Sequence, residues 1–272
     1  MSFRGSVAVI GVECLKLAAQ PKARIALAAS VVGPFAFAAA MKVQSSVPED
    51  TLFGRSVKES GFAVSLVVLG FAALWVFPVL TSLVGGDVFS AEDRYGTWKT
   101  VLTRSRSRSE VFAGKVVTAL GFSLLSVSVL ALSSVAAGAL LIGSKPLINL
   151  SGVLLAPSHA LTRVVLAWAT VVLPIFGLTA VAVLLSIATR SSVAGVGLPV
   201  VASLAMQLYA FVDGPEAIRQ ALITSAFGAW HGLMAEPPYY GPLVRASMVS
   251  VMYVVVCLLI AYRLLQQRDF AG

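Results

Sequence analysis

Apolar residues in this chain come in long blocks, and the charged residues are confined to short stretches between them. Six blocks contain no Asp, Glu, Lys or Arg: 25–41, 61–86, 116–144, 164–189, 191–212 and 246–262. Coiled into a helix, each is about long enough to cross ~30 Å of hydrocarbon. The pattern predicts an all-α integral membrane protein, a single transmembrane domain over 1–272 with six spans. The first and last blocks are the shortest, but Arg24, Lys42, Arg245 and Arg263 flank them and can snorkel to the headgroups. Pro34, Pro78, Pro174 and Pro199 fall inside spans, where neighbouring helices can re-satisfy a broken backbone ladder.

Three segments outside the blocks have patterns of their own. In 1–23, Phe3, Val7, Ile10, Cys14 and Leu17 share one helical face, and Pro21 interrupts the helix, which predicts an amphipathic helix lying in the membrane interface. In 87–115, Tyr95, Trp98, Val101 and Leu102 fall on one face of a second short helix. Ser107 and Glu110 then have capping-box spacing, so a fresh helix starts there. In 213–242, Ile218, Ala221, Leu222, Ser225, Ala226, Ala229 and Trp230 keep helical spacing between turn-forming ends, yet the apolar part is short for a span. It reads as an extra half-span; a seventh full span is the alternative.

Composition agrees with a lipid environment: 58% of residues are hydrophobic and 12% charged, about half the charge of a soluble domain. The net charge of +8 is distributed as topology, and no basic face with interleaved aromatics suggests nucleic acid. With six spans, thirteen Lys and Arg fall on the side of the termini and seven on the other, so both termini are expected in the cytoplasm. Cys14 and Cys257 make no disulfide framework. No ionisable residue lies near the middle of a span, which argues against an ion-coupled carrier. His159 and His231 both fall in outward connections, and a G-x-S-G serine and an intramembrane Asp pair are missing, so no catalytic or metal-binding set is expected. The phosphate loop G-x-x-x-x-G-K-[ST] is missing, so any ATP must be hydrolysed by another chain.

The loop 87–115 holds ten charged residues and carries a resemblance. Glu92-x-Arg94-x-Gly96-Thr97, then Val101-Leu102-Thr103, then Arg108-Ser109 and Phe112-x-Gly114-Lys115 resemble the corresponding stretch of permease subunits of type-two ATP-binding-cassette exporters. A departure is the alternating run Arg104, Arg106, Arg108, where the family usually has small residues or Pro. The resemblance implies a multi-pass permease in a bacterial cell membrane, pairing with a second permease, identical or similar, and with two ATPase subunits that bind ATP and Mg. It implies that 87–115 forms a coupling helix, with Glu92, Asp93, Arg94, Tyr95, Gly96 and Thr97 meeting the ATPase, and that 213–242 forms short re-entrant outward helices. It also implies that spans two and five line the pathway, nominating Phe71, Leu74 and Phe77 with Met206, Tyr209 and Phe211. Their apolar character suits an amphipathic, lipid-like or drug-like substrate. The alternatives are an ATPase-coupled scaffold or sensor without transport, or an ion-coupled carrier.

Overall fold

The computed structural model describes residues 3–44, 51–98 and 107–268. Its helices are α1 Phe3–Ala19, α2 Pro21–Val43, α3 Gly61–Gly85, α4 Ser90–Tyr95, α5 Arg108–Leu141, α6 Pro157–Thr170, α7 Val172–Thr189, α8 Ser192–Leu208, α9 Glu216–Ala221 and α10 Gly241–Gln266. A two-stranded antiparallel ribbon, β1 Leu147–Ile148 with β2 Leu154–Leu155, joins α5 to α6. Five stretches are long and apolar enough to cross a membrane: α2, α3, α5, α6 with α7, and α10. Helix α8 is apolar but has 17 residues, and a 3-10 turn, Tyr209–Phe211, extends it. The chain is therefore an all-α, multi-pass membrane protein.

The two ends of the bundle differ. One, the near end, gathers α1, α4, the start of α5 and the end of α10: Arg268 meets Asp93 at 3.1 Å, and Arg108 donates to the Gln266 carbonyl at 2.6 Å. The opposite, far end is tied by loop contacts. Gly61 N–H reaches the Gly143 carbonyl at 2.8 Å, Leu150 N–H the Met234 carbonyl at 3.0 Å, and Arg163 the Leu233 carbonyl at 2.8 Å.

Between the ends, helices approach through small residues and short polar bonds, as they must where apolar side chains gain little by leaving lipid. Toward the far end Gly138 abuts Gly61: a Cβ on Gly138 would stand 2.2 Å from the Gly61 oxygen. Ser65 pairs with Ser134 at 2.8 Å and accepts the Trp168 indole N–H at 2.9 Å; Ser123 and Thr179 meet at 2.8 Å. At the near end Gly86 and Gly195 touch backbone to backbone, and a Cβ on Gly86 would lie 2.1 Å from the Gly195 oxygen.

Span α3 is not a regular helix. Pro78 has no N–H to offer the carbonyl four residues before it, that of Leu74. The helix widens into a π turn, Ala72–Val76, closed by the Phe77 N–H on the Ala72 carbonyl. Gln207, on α8, donates its Nε2 to the Leu74 carbonyl at 2.8 Å and so supplies the missing bond from another helix. This is the intramembrane repair that a proline demands.

Two expectations change. Tyr95 and Trp98 do not share a helical face, because α4 stops at Gly96, whose φ of +63° is left-handed. Thr97 N–H returns to the Glu92 carbonyl at 3.0 Å and Gly96 N–H to that of Asp93 at 3.3 Å, a Schellman end that turns the chain. Tyr95 is left exposed, whereas Trp98 is buried and stacked on Phe89. Val101, Leu102, Thr103, Arg104 and Arg106 lie outside the described residues. In the 213–242 segment the helical spacing is realised as α9 followed by a 3-10 helix, Ile223–Met234. Its buried residues recur every three positions, Ile223, Ala226, Ala229 and Phe227, Trp230, Leu233, and Gly228 and Gly232 weaken any α preference. Helix α1, expected to be amphipathic, turns Glu13 inward, which the helical-face pattern did not single out, and leaves Val7, Cys14 and also Val12 and Leu15 on its outer surface.

Candidate functional site: the junction of α1, α4 and α5

Helix α4 hangs below α3 on a short turn, and its attachment is built from polar groups. Ser186 of α7 accepts the N–H groups of Phe89 and Ser90 through its Oγ, at 3.2 and 3.0 Å. Ser90 Oγ donates to the Gly86 carbonyl at 2.9 Å.

The Glu92 carboxylate points inward to a buried cation. Lys115 Nζ, on α5, lies 2.9 Å from Glu92 Oε1 and 3.1 Å from Glu13 Oε2 of α1, and donates to the Val88 carbonyl at 2.9 Å. Lys16 bridges the same two carboxylates, at 2.8 Å from Glu13 and 2.9 Å from Glu92. Thr97 donates to the other Glu92 oxygen. Two acids and two lysines from three elements thus neutralise one another, and each donor of Lys115 has an acceptor. Burial alone would raise the Glu92 carboxyl; the adjacent Lys115 charge and hydrogen bond, aided by Thr97 and Lys16, outweigh it and hold the group at about 2. Burial likewise opposes the Lys16 charge, and the bonds to Glu13 and Glu92 raise its pKa nonetheless.

Gly114, beside Lys115, makes the approach possible. A Cβ there would stand 2.5 Å from Val9 Cγ1 of α1, so a side chain would push α1 away from the ion-pair cluster.

A second set of bonds flanks the first. Burial opposes ionisation of Asp87, but the hydrogen bonds of Lys22 and Ser192, with the charges of Lys22 and Arg94, lower its pKa. Asp93 accepts the Trp98 indole N–H at 3.0 Å and pairs with Arg268, which also donates to the Ile187 carbonyl. Phe89 stacks with Trp98 at 6.3 Å between centroids and lies 5.8 Å from Phe112.

Of the six residues assigned to the ATPase contact, the structure separates three from three. Glu92 is buried, and Asp93 and Thr97 are half-buried and internally bonded. Arg94, Tyr95 and Gly96 form the exposed tip, with the Arg94 guanidinium 4.7 Å over the Tyr95 ring. Sequence reasoning missed Glu13, Lys16, Asp87, Lys22 and Arg268 as members of this junction. Nothing local distinguishes them from solvated charges.

The six pathway nominees differ in exposure. Phe71 and Leu74 are 58% and 45% exposed on α3, and Phe71 borders an apolar groove of about 420 Å3 between α2 and α3. Phe77 is wholly buried, 6.3 Å from Trp168 and 5.6 Å from Phe227 between ring centroids, and faces the core. Met206 and Tyr209 are half-buried, and Phe211 is 87% exposed at the far end. Gln207, which no sequence signal marked, lies among them.

Long apolar helices with a short charged helix clamped beneath the second of them define the class of multi-pass integral membrane protein. The model of the ABC-2 family transporter proteins matches residues 9–206, from within α1 to nearly the end of α8, and the chain belongs to this family. It is an ABC-2 type permease subunit, a transport component rather than an enzyme, and the family implies association with an ABC ATPase. No curated protein matches the chain.

Proposed function

We propose that this chain is one permease half of an ATP-driven exporter, with six spans and cytoplasmic termini, working with a second permease, identical or similar, and two ATPase subunits. The near end faces the cytoplasm. The observation that carries this reading is the exposed tip Arg94-Tyr95-Gly96, held on a stem whose Glu92 is locked to Lys115 and Lys16. A docking element must move as one piece with what it drives. Buried ion pairs that tie α4 to α1 and α5 meet that requirement. Closure of the ATPases on ATP and Mg would press on the tip, and the clamped junction would pass the motion to α3 and α5.

In this reading Glu92, Asp93 and Thr97 hold the docking helix in place, and Arg94, Tyr95 and Gly96 touch the ATPase. Phe71 and Leu74 with Met206, Tyr209 and Phe211 border the route of an amphipathic or lipid-like substrate, and Phe77 supports them from behind.

The test is affinity purification from the native cell in mild detergent, comparing the wild type with an Arg94→Ala/Tyr95→Ala double variant and with Glu92→Gln. Wild type should retain a stoichiometric ATPase and hydrolyse ATP. The double variant should lose the ATPase at unchanged melting temperature, and Glu92→Gln should lower the melting temperature. An ATPase retained fully by the double variant would remove the tip from the docking contact.

A further inference from the structure

The far end contains a half-open cavity of mixed polar and apolar lining that the transport reading does not use. It measures about 330 Å3 and lies between the 3-10 helix Ile223–Met234 and the first turns of α10. Gln220, Ser225, Gly228 and His231 form one wall, and Pro242 and Arg245 the other.

Charge accounting singles out Arg245. The acids nearest in sequence to the cavity walls are already engaged: Glu216 pairs with Arg219 at 3.2 Å, and Glu236 with Arg163 at 3.5 Å. Among the described residues no carboxylate pairs with Arg245, which is exposed. His231 adds no charge at neutral pH, since burial pushes its pKa down. The cavity therefore presents a single positive charge. Neutral donors accompany it. Gln220 uses one N–H on Glu216 at 2.9 Å and has a second to give, and a neutral imidazole carries one N–H. Ser225 directs its hydroxyl proton to the Leu222 carbonyl at 2.8 Å, so it contributes no donor.

Depth narrows the ligand further. Arg245 immediately precedes the charge-free run 246–262, so it stands where a span leaves hydrocarbon, at the level of lipid phosphates. A guanidinium is the side chain best matched to two phosphate oxygens.

We propose that this cavity receives a singly charged phosphate headgroup, with Arg245 as its charge partner and Gln220 and His231 as neutral donors. The ligand is a lipid of the surrounding leaflet whose phosphodiester carries the headgroup's only charge, since a second, cationic group on the headgroup would meet the Arg245 charge. The proposal requires only that the far end meet a membrane surface, and it stands or falls apart from any ATPase coupling.

The structure supplies a reporter, because the Trp230 ring lies 4.2 Å from the His231 ring. Delipidated protein in a neutral detergent would be titrated with short-chain phosphatidylglycerol, short-chain phosphatidylcholine and inorganic phosphate. Tryptophan fluorescence would be followed, with Trp230→Phe assigning the signal, and native mass spectrometry would count bound lipid. Phosphatidylglycerol should bind saturably and more tightly than phosphatidylcholine. Arg245→Gln should weaken it about tenfold or more, Arg245→Lys less, and Arg263→Gln, at the other end of the same helix, should leave it unchanged. Melting temperatures would show that Arg245→Gln remains folded. If inorganic phosphate binds as well and is lost in the same variant, the site recognises phosphate itself; if it does not, the lipid is required. Equal binding of the two lipids, or undiminished binding by a folded Arg245→Gln protein, would overturn the proposal.

Discussion

Lys115 is the residue on which the near end depends. Its side chain is almost wholly buried, and it holds Glu92 and Glu13 together. Replacing one partner of a buried ion pair leaves the others uncompensated, which costs about 3–5 kcal/mol. Lys115→Met should therefore lower the melting temperature more than Glu92→Gln, which removes a charge but keeps a hydrogen-bonding shape. Acid should act on the same cluster. Glu92 titrates at about 2 in the fold against an ordinary 4.5, so its contribution to stability is complete above the unfolded value and is lost as pH falls from there toward 2. Between pH 5 and 3 the melting temperature of wild type should fall more steeply than that of Glu92→Gln; parallel curves would show that Glu92 carries no such linkage. The charged motif was legible in the sequence, as was the Gly114-Lys115 pair at the start of the next span. The direction in which Glu92 faces was not, because its partners lie 23 and 76 residues away and no local period encodes them.

Among the elements, two bends show how a breaker is accommodated. Gly96 ends α4 with a left-handed residue, and Gly96→Ala should cost about 1 kcal/mol of strain while leaving the spans intact by circular dichroism. Pro78 breaks α3, and Gln207 repairs the break from α8. Gln207→Leu should cost about 0.5–1.5 kcal/mol in the wild-type background and less beside Pro78→Ala, where a backbone N–H is restored. Additive melting shifts in that double-mutant cycle would show that the two residues are uncoupled. Five long apolar spans, the Pro21 junction and the Ser107–Glu110 capping box were readable from periodicity and cap chemistry, and the capping box is present. The 3-10 character of Ile223–Met234 was not, because seven buried positions at near-helical spacing fit both periods until packing selects one. Gln207 also escaped notice, since an uncharged amide in an apolar run carries no pattern.

At the scale of the molecule, the charge count and the ends of the bundle agree. The basic residues assigned to the side of the termini include Lys16, Lys22, Arg94, Lys115 and Arg268, and all five converge on the near end. In a background with Cys14 and Cys257 replaced, Lys58→Cys should react with an impermeant thiol reagent added outside intact cells, and Ser107→Cys should react only after the membrane is opened. Reversed labelling would invert the orientation.

The glycine contact between Gly86 and Gly195 limits how α3 and α8 can part. Their backbones already touch there, and neither position has room for a side chain. Sliding would break the contact, but rotation about it would not, so the pair is built like shears with the fulcrum at the near end. Helix α8, with 17 residues, is about 25 Å long. A swing of about 10° would then carry its far tip about 4 Å while the base hardly moves. The Gln207 amide, well out along that arm, would be among the first bonds stretched.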